Sequence, residues 1–284
     1  MTTRLWLSGL MLLAAGTVRA DFEANLRAAA ALCKEQKHEQ AIDSYAKLGQ
    51  ARSDPEERYE AICAAATCAR LHLHSETRAL DLCQRIGAQP YVKACRATVY
   101  QWATSPSQVV AEFRDEDFST WPESLAAIGY AVRGSAYFNL KNGSEAARDF
   151  LRAFQFAKSY AKWSALQRLG DTYWKLLDDE LLAEACYRKC ISDFGGGWPG
   201  LQARVNLGEL LLSQARHDAA LQCLTGAPGV GGSWKAALLI GAAKVHIAAG
   251  HKPEAIAALK QALDTAGLHA SQKKECESLL AGLK

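Results

Sequence analysis

The chain has 284 residues, of which 49% are hydrophobic and 22% are charged. This composition is too apolar for an intrinsically disordered chain and too polar for a protein with many membrane spans. The formal net charge is +3. Nucleic-acid binding usually needs a much stronger basic excess, so we expect no nucleic-acid partner.

Residues 1–20 have the organisation of a secretory signal peptide. Arg4 provides a positive start, an apolar run covers residues 5–16, and Val18-x-Ala20 provides a small-residue cleavage site. The apolar run is shorter than the ~20 residues that span a bilayer, although an uncleaved anchor is the alternative. We therefore expect cleavage after Ala20, no membrane span in the mature chain, and an exported protein, periplasmic or extracellular.

From Asp21 onward, apolar residues three and four apart in a sequence rich in Ala, Leu, Glu and Lys predict helix throughout. The clearest unit reads Gly134-x-x-Tyr137-x-x-Leu140, followed by Ala146-x-x-x-Phe150-x-x-Ala153. A small residue of the second helix recurs along the chain at spacings of 38, 67, 37, 37 and 35 residues, at Ala41, Ala79, Ala146, Ala183, Ala220 and Ala255. The spacing of 67 residues corresponds to two repeats with a degenerate member between them.

This pattern resembles the tetratricopeptide repeat, in which small residues let two antiparallel helices approach and aromatic residues fill the space between neighbouring pairs. The resemblance implies an all-α, right-handed α-solenoid of about seven helix-turn-helix pairs plus a C-terminal capping helix at 270–284. Degenerate repeats are expected over 21–121 and regular repeats over 122–269. Sel1-like repeats and a generic α-solenoid are the alternatives.

The resemblance also implies a concave surface, formed by the first helix of each pair, that binds an extended peptide or a partner protein. Projection of the family template onto the regular repeats gives the expected groove residues. They form an apolar row with polar neighbours: Phe138, Trp174, Leu212 and Ile247, with Asn139, Asp171, Lys175, Glu209 and Lys244. The alternative is that the apolar row only packs against adjacent repeats.

Catalytic motifs are missing from the sequence, which contains no His-Glu-x-x-His, Gly-x-Ser-x-Gly or Cys-x-x-Cys. We therefore predict a non-catalytic scaffold without cofactor or metal that binds a protein or peptide. The several tryptophans leave a small-molecule or glycan-binding helical module as an alternative. An enzyme built on a helical-repeat body is the other alternative.

The chain has nine cysteines, an odd number for an exported protein. Cys63 and Cys83 are expected to oppose each other on the two helices of the same pair, so a disulfide between them is conceivable. The alternative is that the cysteines are packed free thiols.

Overall fold

The computed structural model describes residues 3–101, 105–195, 197–227 and 229–283, with side chains outside 3–18, 101, 124, 159 and 160. Every regular element in these ranges is helical. The helices are α1 (Thr3–Lys34), α2 (His38–Gln50), α3 (Pro55–His72), α4 (Glu76–Gln84), α5 (Tyr91–Gln101), α6 (Pro106–Phe113), a 3-10 turn (Phe118–Thr120), α7 (Glu123–Asn139), α8 (Gly143–Phe156), α9 (Ser159–Leu176), α10 (Glu180–Phe194), α11 (Trp198–Ser213), α12 (His217–Thr225), α13 (Gly232–Ala248), α14 (Lys252–Leu263) and α15 (Ala270–Gly282).

This order gives seven helix pairs, from α1/α2 to α13/α14, followed by α15 as a final unpaired helix. Short turns join the helices within a pair, so the two helices run antiparallel. The all-α class, the α-solenoid type and the number of pairs expected from the sequence are confirmed.

Six of the seven pairs share one turn geometry between their helices. Each turn contains a residue with φ between 52° and 77°, in the left-handed region. A backbone N–H just beyond it donates to a carbonyl in the last turn of the first helix, for example Lys37 N to Leu32 O at 2.9 Å and Arg216 N to Leu211 O at 2.9 Å. This bond is the helix-ending pattern that satisfies orphan carbonyls. The left-handed residues are Gln36, His74, Lys141, Asp178, Ala215 and Gly250.

The chain packs as two units, Met1–Ala136 and Tyr137–Lys284. In the second unit, glycines of the first helices face large side chains of the second helices. A Cβ atom added at Gly170 would lie 2.7 Å from Tyr187 Cε1, and one added at Gly208 would lie 2.8 Å from Leu224 Cδ2. These close approaches confirm the physical role that the repeat pattern gives to its small residues.

In the first unit, the irregular segment between α6 and α7 folds around Phe118, whose side chain is fully buried. Its ring centroid lies 4.8 Å from that of Trp121 and 5.1 Å from that of Tyr130. The guanidinium of Arg133 lies 4.6 Å from the Phe118 ring centroid. It also donates to the carbonyl oxygen of Phe113 at 2.7 Å, so it ties α7 to the end of α6.

Helix α1 continues from Thr3 to Lys34, through the predicted cleavage site. Phe22 is fully buried, and the guanidinium groups of Arg19 and Arg52 lie 5.2 Å and 5.1 Å from its ring centroid. Cleavage after Ala20 would therefore leave Phe22 and Arg52 in the mature chain. Across the described residues, no helix has both the length and the apolar character needed to cross a membrane.

Candidate functional site

The candidate binding surface lies on the first helices of the second unit. Helices α9, α11 and α13 contact each other in sequence order, and each has a half-buried apolar side chain at the same repeat position: Trp174, Leu212 and Ile247. Each of these residues directly follows the carbonyl that accepts the turn hydrogen bond. The half-buried Phe138 holds this position at the end of α7. We call these four residues the apolar row.

Several polar residues that the sequence placed beside the apolar row have contacts within the chain. The ammonium of Lys175 lies 5.2 Å from the Trp174 ring centroid, a distance typical of a cation–π interaction. Lys244 Nζ lies 2.7 Å from Glu275 Oε1 of α15. Glu209 is half-buried and Asn139 is exposed. The polar side of the surface is therefore partly organised by the protein itself.

Asp171 differs from the sequence expectation, because its side chain is buried rather than open to a ligand. Its carboxylate accepts hydrogen bonds from Gln167 Nε2 at 2.6 Å, Tyr187 OH at 2.7 Å and Asn206 Nδ2 at 2.5 Å. These donors lie on α9, α10 and α11. Asp171 therefore joins three helices, and its placement among the groove residues was wrong.

Tyr187 occupies the aromatic position of its repeat and is fully buried. Burial raises the pKa of its phenol, and the negative charge of Asp171 raises that pKa further. The hydroxyl therefore stays protonated at neutral pH and remains a donor to Asp171. The sequence predicted the packing of this ring, but it gave no sign of the partner of its hydroxyl.

Cys63 and Cys83 are both free thiols in the structure. The Sγ atom of Cys83 lies 2.7 Å from that of Cys95, which belongs to α5 of the next pair. A second contact joins Cys33 Sγ and Cys68 Sγ at 3.2 Å. Both contacts connect neighbouring pairs rather than the two helices of one pair, which the template used for the sequence prediction did not consider.

A small side-chain cluster that the sequence did not reveal surrounds the second of these contacts. Cys33, His38 and Cys68 bring their potential ligand atoms within 4.8 Å of one another. Cys33 and Cys68 are 35 residues apart, which is close to one repeat length. That spacing is the sequence signal that could have placed them on neighbouring first helices.

The fold defines a helical-repeat scaffold, and comparison with known proteins narrows the class. The family model described as tetratricopeptide repeat matches residues 164–192, which covers α9 from its sixth residue and most of α10. The chain therefore carries a tetratricopeptide repeat, and the family resemblance read from the sequence is confirmed.

Solved structures support the same fold over nearly the whole chain. A tetratricopeptide repeat protein from Parabacteroides merdae ATCC 43184 has a TM-score of 0.54 at 16% identity, over 91% of this chain and 98% of that one. BtubC (BKLC) from P. vanneervenii has a TM-score of 0.50 at 17% identity, over 92% of each chain. At this identity the likeness shows the fold alone. No curated protein matches the chain.

Proposed function

We propose that this protein is an exported, non-catalytic scaffold that binds an extended peptide, or an extended segment of a partner protein, along the apolar row. The observation that carries the proposal is the repetition of one half-buried apolar side chain on α9, α11 and α13. Large apolar side chains that remain partly exposed can bury their remaining surface against a ligand, and aromatic ones are frequent anchors of interfaces.

The spacing of these helices favours an extended ligand. Packed helices have axes about 8–10 Å apart. An extended polyproline II chain returns a side chain to the same face after three residues, which is roughly 9 Å. A peptide with an apolar residue at every third position would therefore offer one side chain to each of Trp174, Leu212 and Ile247.

Peptide binding is tested with two labelled peptides of equal composition, one with apolar residues at every third position and one with them at every second position. We expect the first peptide to bind more tightly in fluorescence anisotropy. Replacing Trp174 with alanine should weaken it by more than about 2 kcal/mol, or roughly thirtyfold. The thermal midpoint should change little, because the side chain is only half-buried.

Leu181→Ala is the matched control, because Leu181 is 83% exposed and lies on α10, outside the apolar row. This variant should bind the peptide like the unchanged protein. Equal binding of both peptides, an unchanged affinity of Trp174→Ala, or an equal loss in Leu181→Ala would each contradict the proposed groove.

Export is tested separately on the full chain produced with its own N-terminal segment. We expect the protein outside the cytoplasm to begin at Asp21, because the signal peptide would be removed after Ala20. N-terminal sequencing and cell fractionation measure this directly. Ala20→Arg should block the cleavage and serves as the control, whereas an intact Met1 on cytoplasmic protein would refute export without affecting the peptide test.

A further inference from the structure

The cluster of Cys33, His38 and Cys68 lies in the first unit, apart from the apolar row. Cys33 is in the last turn of α1, His38 is the first residue of α2, and Cys68 is one turn before the end of α3. The turn around Gln36 reverses the chain between the first two residues. Because α1, α2 and α3 are antiparallel in succession, these three positions meet at one end of the helices.

We propose that Cys33, His38 and Cys68 form a binding site for a thiophilic d10 metal ion, Zn²⁺ or Cu⁺. Two thiolates and one imidazole are the donor set that such ions prefer over oxygen ligands. Zinc bond lengths of about 2.3 Å to sulfur and 2.0–2.1 Å to nitrogen place tetrahedral ligand atoms ~3.5–3.8 Å apart. The two sulfur atoms, at 3.2 Å, would need to separate by less than 1 Å.

The histidine is what distinguishes this cluster from a simple pair of thiols. His38 Nδ1 is buried and has no hydrogen-bond partner among the described residues. A buried polar atom without a partner is costly, and a metal ion would supply the missing interaction. A disulfide between Cys33 and Cys68 would leave this nitrogen unpaired, so the metal accounts for all three residues and the disulfide for only two.

The surroundings of the cluster support a ligand site with an open position. The His72 ring stacks on His38, with centroids 4.2 Å apart and planes 2° from parallel, and this stacking fixes the plane of the imidazole. A cleft of about 430 Å³ is lined by Cys33, Cys68 and His72 and bordered by Tyr45 and Tyr59. Three protein ligands beside a cleft leave the fourth coordination position for water or another small ligand.

The test uses the purified reduced protein under anaerobic conditions, with Co²⁺ as a spectroscopic probe of a zinc site. We expect one equivalent of Co²⁺ to bind with a sulfur-to-cobalt charge-transfer band, and Zn²⁺ to bleach that band. Competition with bicinchoninate measures Cu⁺ in a second arm. Binding of either ion at one equivalent, dependent on the three ligands, supports the proposal and identifies the metal.

Cys33→Ser and His38→Gln change half-buried residues and should keep the helical content, while each weakens metal binding at least tenfold. Cys190→Ser is the matched control, because Cys190 is a buried thiol in the second unit and its loss should leave metal binding unchanged. A missing thiolate band together with no uptake of Cu⁺ would overturn the proposal. So would metal binding that persists in both ligand variants, or a Cys33–Cys68 disulfide in the protein as isolated without reductant.

Discussion

Replacing Phe118 with alanine should lower the free energy of unfolding of the first unit by about 3–5 kcal/mol, the usual cost of removing a fully buried aromatic ring. The ring is enclosed by Phe113, Trp121 and Tyr130, with centroid distances of 5.9, 4.8 and 5.1 Å. The cavity cannot close easily, because these neighbours lie on different elements. Urea unfolding followed by far-UV circular dichroism measures the loss.

Phe154→Ala is the matched control in the second unit, where the ring is only half-buried and fewer contacts are lost. Its effect should be clearly smaller than that of Phe118→Ala. Gly129 explains why the cluster is so close-packed, because a Cβ atom there would lie 2.4 Å from Phe118 Cδ1. An equal, small effect in both variants would mean that Phe118 does not organise this segment.

The Phe118 cluster also marks the limit of what the sequence could predict about the fold. The regular repeats were predictable because their pattern is local: a small residue, an aromatic residue and a turn recur at almost constant spacing. The left-handed residues Lys141, Asp178 and Ala215 follow each other at the same 37-residue intervals as Ala146, Ala183 and Ala220. The segment before α7 has no such template, and its aromatic residues come together only through tertiary contacts.

The candidate groove shows the same division between local and tertiary information. The sequence placed Trp174 and Leu212 on one face of neighbouring helices because helical periodicity fixes the direction of a side chain. It also placed Asp171 there, but the exposure of a carboxylate depends on its neighbours in space. Tyr187 and Asn206 come from the next two helices, so the burial of Asp171 could not be predicted from its own helix.

Cysteine contacts were missed for a related reason. The predicted pairing of Cys63 with Cys83 assumed contact within a helix pair. The sulfur contacts of the structure, Cys83 with Cys95 and Cys33 with Cys68, join consecutive pairs. In a repeat protein each unit packs against its neighbours as well as within itself, and the sequence does not say which contact a given cysteine makes.

Replacing Tyr187 with alanine should destabilise the second unit by about 3–5 kcal/mol, because it removes a fully buried ring. Tyr187→Phe keeps the ring and removes only the hydroxyl that donates to Asp171 at 2.7 Å. It should cost about 1–3 kcal/mol, since the buried carboxylate then loses one of its hydrogen-bond donors. Urea unfolding of both variants separates the contribution of packing from that of the hydrogen bond.

A double-mutant cycle with Asp171→Asn isolates the hydrogen bond from other effects. If Tyr187 and Asp171 interact directly, the two substitutions together should cost less than the sum of the single ones, with a coupling of about 0.5–3 kcal/mol. Gln167→Ala in the same cycle gives the coupling of a second donor to the same carboxylate, at 2.6 Å. Strictly additive effects would show that the three side chains do not act as a network. In that case Asp171 would be free to contact a ligand, and its original place among the groove residues would be restored.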